Sequence, residues 1–279
     1  MSIQTKASFK KEILAYIRTY KLLTIALVII GLAIFNPLMI TGLGVFIDAM
    51  SDVYDDLGMD VSGMTEMLGT ASSTGVTSSV EGITGVGLIV TLLLLNGAAG
   101  GEQKKRSVII PKSAGLRSVA YLLPKFIIYP VSVLIFSIAA MFASRGVSVL
   151  LFDINDVSLG GVFLSGVLSG VFLMFYVCFH LTLGTATGKA GMSSAVCITA
   201  SILLPTIFSL VNPEYMYNPF GLNVLAYSAV ISGTIPVSEI LDIAVSVVFA
   251  VIIMVTTYFI ALFAQNARRI DNTGNDINL

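Results

Sequence analysis

The chain has 279 residues, of which 56% are hydrophobic and only 11% charged, and its net charge is −1; its mean hydropathy is +0.94. Soluble domains carry about a quarter charged residues, so this composition excludes a water-soluble enzyme and makes lipid the solvent for most of the chain. The length accommodates about six spans of about 20 residues with their connections, and leaves no room within it for a separate catalytic or ATPase domain.

The expected fold is therefore all-α: a single polytopic membrane domain over 1–279, with about six transmembrane helices. Residues 5–21 place Phe9, Ile13, Tyr16, Ile17 and Tyr20 at helical spacing, with Lys10, Lys11, Glu12 and Arg18 on other faces. This pattern predicts an amphipathic helix lying in the membrane interface, its cations toward anionic headgroups. The apolar run that follows is too long for the core of a cleavable signal, so the N-terminus is expected to be retained.

Spans are predicted at about 22–47, 82–99, 119–143, 160–183, 191–211 and 240–264. Asn36-Pro37 falls midway through the first and predicts a helix kink, because proline cannot donate the backbone bond at its position. Residues 48–81, rich in Gly, Ser, Thr and Asp, read as an external loop. The fourth span carries Ser165, Gly166, Ser169 and Gly170, a spacing that permits close helix approach. Residues 212–239 are apolar yet interrupted by Pro213, Pro219 and Pro236. Their longest unbroken run, of about 12 residues, is too short to span and predicts a re-entrant external element, with Tyr215, Tyr217, Phe220 and Tyr227 near the headgroups.

This division places every Lys and Arg except Arg145 on one side of the membrane, while Asp48, Asp52, Asp55, Asp56, Asp60 and most other acids fall on the opposite side. Positive residues stay inside, so both termini, the loop at about 100–118 and the link at 184–190 are expected in the cytoplasm of a multi-pass cell-membrane protein.

Few residues offer chemistry. The aspartates of the external loop lack the spacing of a calcium loop and read as a solvated face. Met50, Met59, Met64 and Met67 near them read as apolar packing rather than Cu(I) ligands. Cys178 and Cys197 lie in apolar stretches and read as packing residues. His180, the only histidine, is expected to make an interhelical hydrogen bond, and Lys125 to reach up to the cytoplasmic face. No Gly-x-x-x-x-Gly-Lys-Ser/Thr phosphate loop occurs, so ATP is not expected to be bound on this chain in the Walker manner, and ATP-driven work would need a partner.

The most distinctive segment is GGEQKKRSVIIPKSAGLRSVAYLLPKFI, residues 100–127. A Gly-Gly exit is followed by Glu102, the cluster Lys104, Lys105 and Arg106, then Ser107, Pro111 and Lys112. Together with the basic helix FKKEILAYIRTYKLL, the Asn-Pro of the first span and the proline-rich NPFGLNVLAY before the last, this segment resembles the ABC-2 type permeases, the membrane subunits of ATP-driven exporters. Glu102 and Pro111 match the family's loop pattern, whereas Arg106-Ser107 stands where Gly-Thr is usual. The resemblance implies that residues 102–117 hold a coupling helix that docks on a separate cytoplasmic ABC ATPase subunit. It also implies a second permease copy or paralogue beside this chain in the lipid. ATP and Mg would reside on the ATPase partner, so no cofactor or metal and no nucleic acid is expected on this chain.

Two other classes remain as alternatives. An ATP-independent channel or secondary transporter would typically show internal repeats or intramembrane charges. A membrane-embedded enzyme would need paired carboxylates, a metal-binding His/Glu set or a Ser-His pair at membrane depth.

Overall fold

The computed structural model describes residues 3–50, 71–102, 113, 115–211, 219–231, 237–267, 269–270 and 276–277. Six of its helices are long and apolar enough to cross a membrane: Lys21–Ala49, Ser72–Leu94, Ser118–Leu151, Leu159–Thr187, Ala190–Ile207 and Ile240–Ala267.

A separate helix, α1 (Ile3–Arg18), precedes the first of them. The chain turns at Tyr20, whose φ of 56° lies in the left-handed region, a conformation that costs a non-glycine residue about 1–2 kcal/mol. This elbow breaks helix continuity, and α2 (Lys21–Ala49) starts immediately after it.

α2 runs unbroken through Pro37. The proline has no amide to offer the carbonyl of Ala33 four residues earlier. That carbonyl accepts instead from Ser79 Oγ of the next span, at 3.0 Å. One residue away, Asn36 Nδ2 donates to the carbonyl of Ser78 at 3.0 Å. A Cβ on Gly82 would collide with the same Asn36 amide, so glycine is what lets the two helices meet there. The Asn-Pro pair thus works as a dock between the first two spans. Ser79→Ala should cost about 1 kcal/mol by orphaning the Ala33 carbonyl. The same change should cost measurably less in a Pro37→Ala background, where residue 37 regains its N–H; unfolding in mixed micelles reads this double-mutant cycle.

The second span starts at Ser72, about ten residues before the sequence-based boundary. It is built from α3 (Ser72–Gly82), a π-helical turn at Ile83–Gly87 and α4 (Leu88–Leu94). SSTGVTSSVE reads as a loop because its hydroxyls compete for backbone partners in water. Here Thr77, Ser78 and Ser79 bond back to their own helix, as Thr77 Oγ1 does to the carbonyl of Ser73 at 2.8 Å, and Ser72 and Ser73 bond Asp156. The absence of bulk lets α3 sink between neighbours, with Gly75 against Ser148 and Pro37. A second π-helical turn, Gly97–Gly101, follows α4. Gly100 lies so close to the backbone at Lys189 and Ala190 that a Cβ would stand 2.7 Å from the Ala190 nitrogen.

α5 (Ser118–Leu151) extends beyond the expected end near 143 and carries Arg145 within the helix. α6 (Leu159–Thr187) is capped by Ser158, whose hydroxyl accepts from the Gly161 amide at 3.0 Å, and ends at left-handed Gly188. It is the most buried of the six and packs against α5, α7 (Ala190–Val211), α8 (Leu222–Ile231) and α9 (Val237–Ala267). Its contact with α5 is closest at Gly166 and Gly170, where a Cβ would stand 2.9 Å from Ile138 Cα and 3.0 Å from Leu134 Cα. A 3-10 turn, Pro219–Gly221, leads into α8. Beyond α9, the two-residue strands Arg269–Ile270 and Asp276–Ile277 pair antiparallel.

Candidate functional site

Among the described residues, the buried charged side chains Glu12 and Lys125 lie together where α1 meets α5. Lys125, about two turns into α5, is only 2% exposed, and it does not reach out along the surface as the sequence led us to expect. Its Nζ lies 2.9 Å from Glu12 Oε1 of α1 and 3.1 Å from Glu102 Oε2, just past the second π turn. One ammonium is thus shared by two carboxylates from two different elements.

Tyrosines complete the set. Tyr129, one turn beyond Lys125, donates to Glu12 Oε1 at 2.6 Å, and Tyr121, one turn before it, donates to Glu102 Oε2 at 2.7 Å. The Lys125 ammonium also sits 5.1 Å from the centre of the Tyr121 ring. Tyr16 packs edge-on against Tyr129 with centroids 4.8 Å apart, and its hydroxyl meets Ser132 Oγ at 3.0 Å. Residues 121, 125, 129 and 132 recur every three or four positions, so a single face of α5 presents all four. Glu12 and Tyr16 share a face of α1 for the same reason.

The electrostatics hold the pair of acids in place. Burial pushes the Glu102 carboxyl up, but the Lys125 ammonium, the Tyr121 hydroxyl and the Lys11 charge outweigh it and leave the group below the usual carboxylate range. Burial raises the Tyr16 hydroxyl above its ordinary value, against the contrary effect of Ser132. An ion pair withdrawn from water gains by its hydrogen bonds what it loses in hydration only if every lone pair is satisfied, and this cluster supplies four short donor contacts to two carboxylates.

Glu12 was assigned from the sequence to a charged outer face of α1; it is 4% exposed and one of three buried residues on that helix, with Thr5 and Tyr16. Its neighbours Ile13, Leu14 and Ile17 are the exposed ones. A lysine within an apolar span calls for a counter-ion, and that demand was the available signal for Glu12. The other end of the 102–117 segment is tied to α1 as well, since Gln4 Nε2 donates to the carbonyl of Gly115 at 3.3 Å. Lys104, Lys105, Arg106, Ser107, Pro111 and Lys112 lie outside the described residues. So do Asp52, Asp55, Asp56, Asp60, Met59, Met64 and Met67.

The opposite end of α5 is held by uncharged donors around one acid. Asp156, in the link between α5 and α6, accepts from Ser72 Oγ at 3.0 Å, Ser73 N at 2.9 Å and Ser73 Oγ at 2.6 Å. It therefore caps the N-terminus of α3 from across the bundle. Arg145 Nε donates to the Val157 carbonyl at 3.2 Å, tying the same link down. Slight burial raises the Asp156 carboxyl, but the hydrogen bonds from Ser73 and Ser72 prevail and hold it below its ordinary value. A depressed acid stabilises the fold at pH values above its unfolded pKa and ceases to do so as pH falls through the lower folded value. Protection of the Ser72 and Ser73 amides against exchange, relative to an unstructured chain at the same pH, should accordingly fall as the medium is acidified below about pH 4, the ordinary aspartate range, and in Asp156→Asn this acid-induced loss of protection should be absent.

Of the groups singled out by residue type, His180 is fully buried on α6. The carbonyls of Leu95 and Ser193 face its ring, but neither ring nitrogen makes a hydrogen bond of good geometry. The interhelical bond at this level belongs to Ser194, whose Oγ lies 2.6 Å from Asn96 Oδ1. Cys178 and Cys197 are free thiols and buried.

Fold and site together define a class: an all-helical protein with six helices long and apolar enough to cross a membrane, with a Glu-Lys-Glu cluster in which Lys125 and Glu12 are buried and Glu102 is partly exposed. No family model, curated protein or solved structure matches the chain.

Proposed function

We propose that the chain is the membrane-spanning permease subunit of an ATP-driven exporter of the ABC-2 type. It works with a separate cytoplasmic ATPase subunit and a second permease copy or paralogue in the cell membrane. In this reading both termini and residues 102–117 face the cytoplasm, α1 lies in the interface with Ile13, Leu14 and Ile17 in lipid, and the segment containing α8 is a re-entrant element on the external side.

The observation that carries the reading is the anchoring of both ends of the 102–117 segment to α1, through the shared Lys125 at Glu102 and through Gln4 at Gly115. A segment held in this way hands a push from a docked subunit to α1 and α5 together, as a rigid-body movement. The cluster Lys104, Lys105 and Arg106, with Ser107, Pro111 and Lys112, offers the polar contacts for docking, and ATP with its Mg stays on the other subunit.

The test is replacement of residues 103–112 by a Gly-Ser linker of equal length, which spares Glu102. The variant should insert and keep its thermal stability, but lose co-purification with the ATPase encoded beside it and lose ATP-dependent export. Export that survives the replacement, or the lack of any co-purifying ATPase in the unaltered protein, sinks this assignment.

A further inference from the structure

α1 turns three different sides to its surroundings. Thr5, Glu12 and Tyr16 fall together at about 100° per residue, and these are the buried residues of the helix. Glu12 and Tyr16 hold α1 on α5 through Lys125, Tyr129 and Ser132. A second side carries Gln4, which bonds the Gly115 carbonyl, and Lys11, whose charge acts on Glu102. That side meets both ends of the 102–117 segment.

The third side is open. Ile13, Lys6, Ile17, Lys10, Ile3 and Leu14 follow one another in that order around an arc of about 100°, and all six are exposed. Among the described residues, neither lysine pairs with a carboxylate. Glu12 is the only acid of α1, and Lys125 draws it inward. The exposed sides of the helix therefore carry Lys6, Lys10, Lys11 and Arg18 with no negative charge of their own to offset them.

The interleaving on the open side decides between two kinds of occupant. An acidic protein surface would pair with the two lysines but leave Ile3, Ile13, Leu14 and Ile17 against polar groups. The edge of an anionic leaflet satisfies both sets, because its hydrocarbon lies just beneath its phosphates. A lysine stem lies along apolar neighbours while its ammonium reaches up to the phosphate level. Lys6 and Lys10 are one turn apart, about 6 Å along the axis, so the two ammoniums serve the same patch of headgroups.

We propose that Lys6 and Lys10 of α1 form a binding site for anionic phospholipid, whose phosphates pair with the two ammoniums while Ile3, Ile13 and Ile17 enter the acyl layer. The inference rests on the interfacial placement of α1 in the reading above, which it deepens, and it needs no ATPase. Each cation close to an anionic leaflet multiplies binding about fivefold. The site therefore selects lipid by headgroup charge and not only by its chains.

The chain contains no tryptophan, so Ile17→Trp places a single fluorescent reporter between Lys6 and Lys10 on the arc. The full chain carrying this change is put into phosphatidylcholine nanodiscs with increasing fractions of a brominated lipid, either phosphatidylglycerol or phosphatidylcholine. Bromine quenches only a reporter that its chain touches. Half-maximal quenching should need at least fivefold less brominated phosphatidylglycerol than brominated phosphatidylcholine. Lys6→Gln with Lys10→Gln should abolish the difference, and Lys6→Arg with Lys10→Arg should keep it. Lys189→Gln, on the exposed link between α6 and α7, should leave it unchanged. Equal quenching by the two lipids, or a preference that survives the paired Gln changes, overturns the lipid site but leaves α1 in the interface; equal quenching hands the two lysines to an acidic protein partner. No quenching by either lipid overturns both the site and the interfacial placement of α1.

Discussion

Lys125→Met should be the most damaging single substitution in the molecule. It leaves the buried Glu12 and the partly exposed Glu102 without the ammonium they share, while the hydroxyls of Tyr129 and Tyr121 stay bonded to them. Removing one member of a buried ion pair costs about 3–5 kcal/mol, because the remaining charge is buried without compensation. The expected result is loss of most folded protein, read as a drop in the midpoint of unfolding in mixed micelles. The damage should be electrostatic rather than steric, since Met nearly fills the volume of Lys. Adding Glu12→Gln and Glu102→Gln to Lys125→Met should therefore restore much of the lost stability. If the triple variant is as unstable as the single one, the cluster is not held by charge.

The second large effect is expected at the contact between α5 and α6. A Cβ on Gly166 would stand 2.9 Å from Ile138 Cα, and one on Gly170 would stand 2.5 Å from Leu134 Cδ1 and 3.0 Å from Leu134 Cα. A new rotamer of Leu134 relieves only the first of the Gly170 contacts, so a larger side chain at either position forces the helices apart. Overpacking of this kind costs about 1–3 kcal/mol for each site, and Gly166→Leu with Gly170→Leu together should prevent assembly. Gly146 supplies the control, because nothing lies within 4 Å of its missing Cβ. There, Gly→Ala should stabilise the helix by about 0.5–1 kcal/mol through lower backbone freedom in the unfolded chain. Equal losses at Gly146 and Gly170 would mean that close approach is not what these glycines provide.

Most of the spans were legible because uniform apolarity over 20 or more residues has few other meanings. The limits of α6 and α7 fall within a few residues of expectation for that reason. The second span was harder: its first turns consist of Ser, Thr and Gly, the vocabulary of loops, and only their partners in α2 and α5 reveal them as helix. The charged site was missed for a related reason. Lys125 and Glu12 were each given a separate escape to water, although 113 residues of chain separate two groups that lie 2.9 Å apart. Glu102 was singled out correctly as unusual, yet what aims it inward is the turn Gly97–Gly101. Five residues of Gly and Ala carry no side-chain pattern from which such a turn could be foreseen.

The hydrogen bond from Ser79 to the carbonyl freed by Pro37 bears on how the chain is made. α2 is synthesised before α3, so the carbonyl of Ala33 has no partner until Ser79 has been added, more than forty residues later. The cost of about 1 kcal/mol is removed only when the two helices pack together, which makes their association part of completing the backbone bonding of α2.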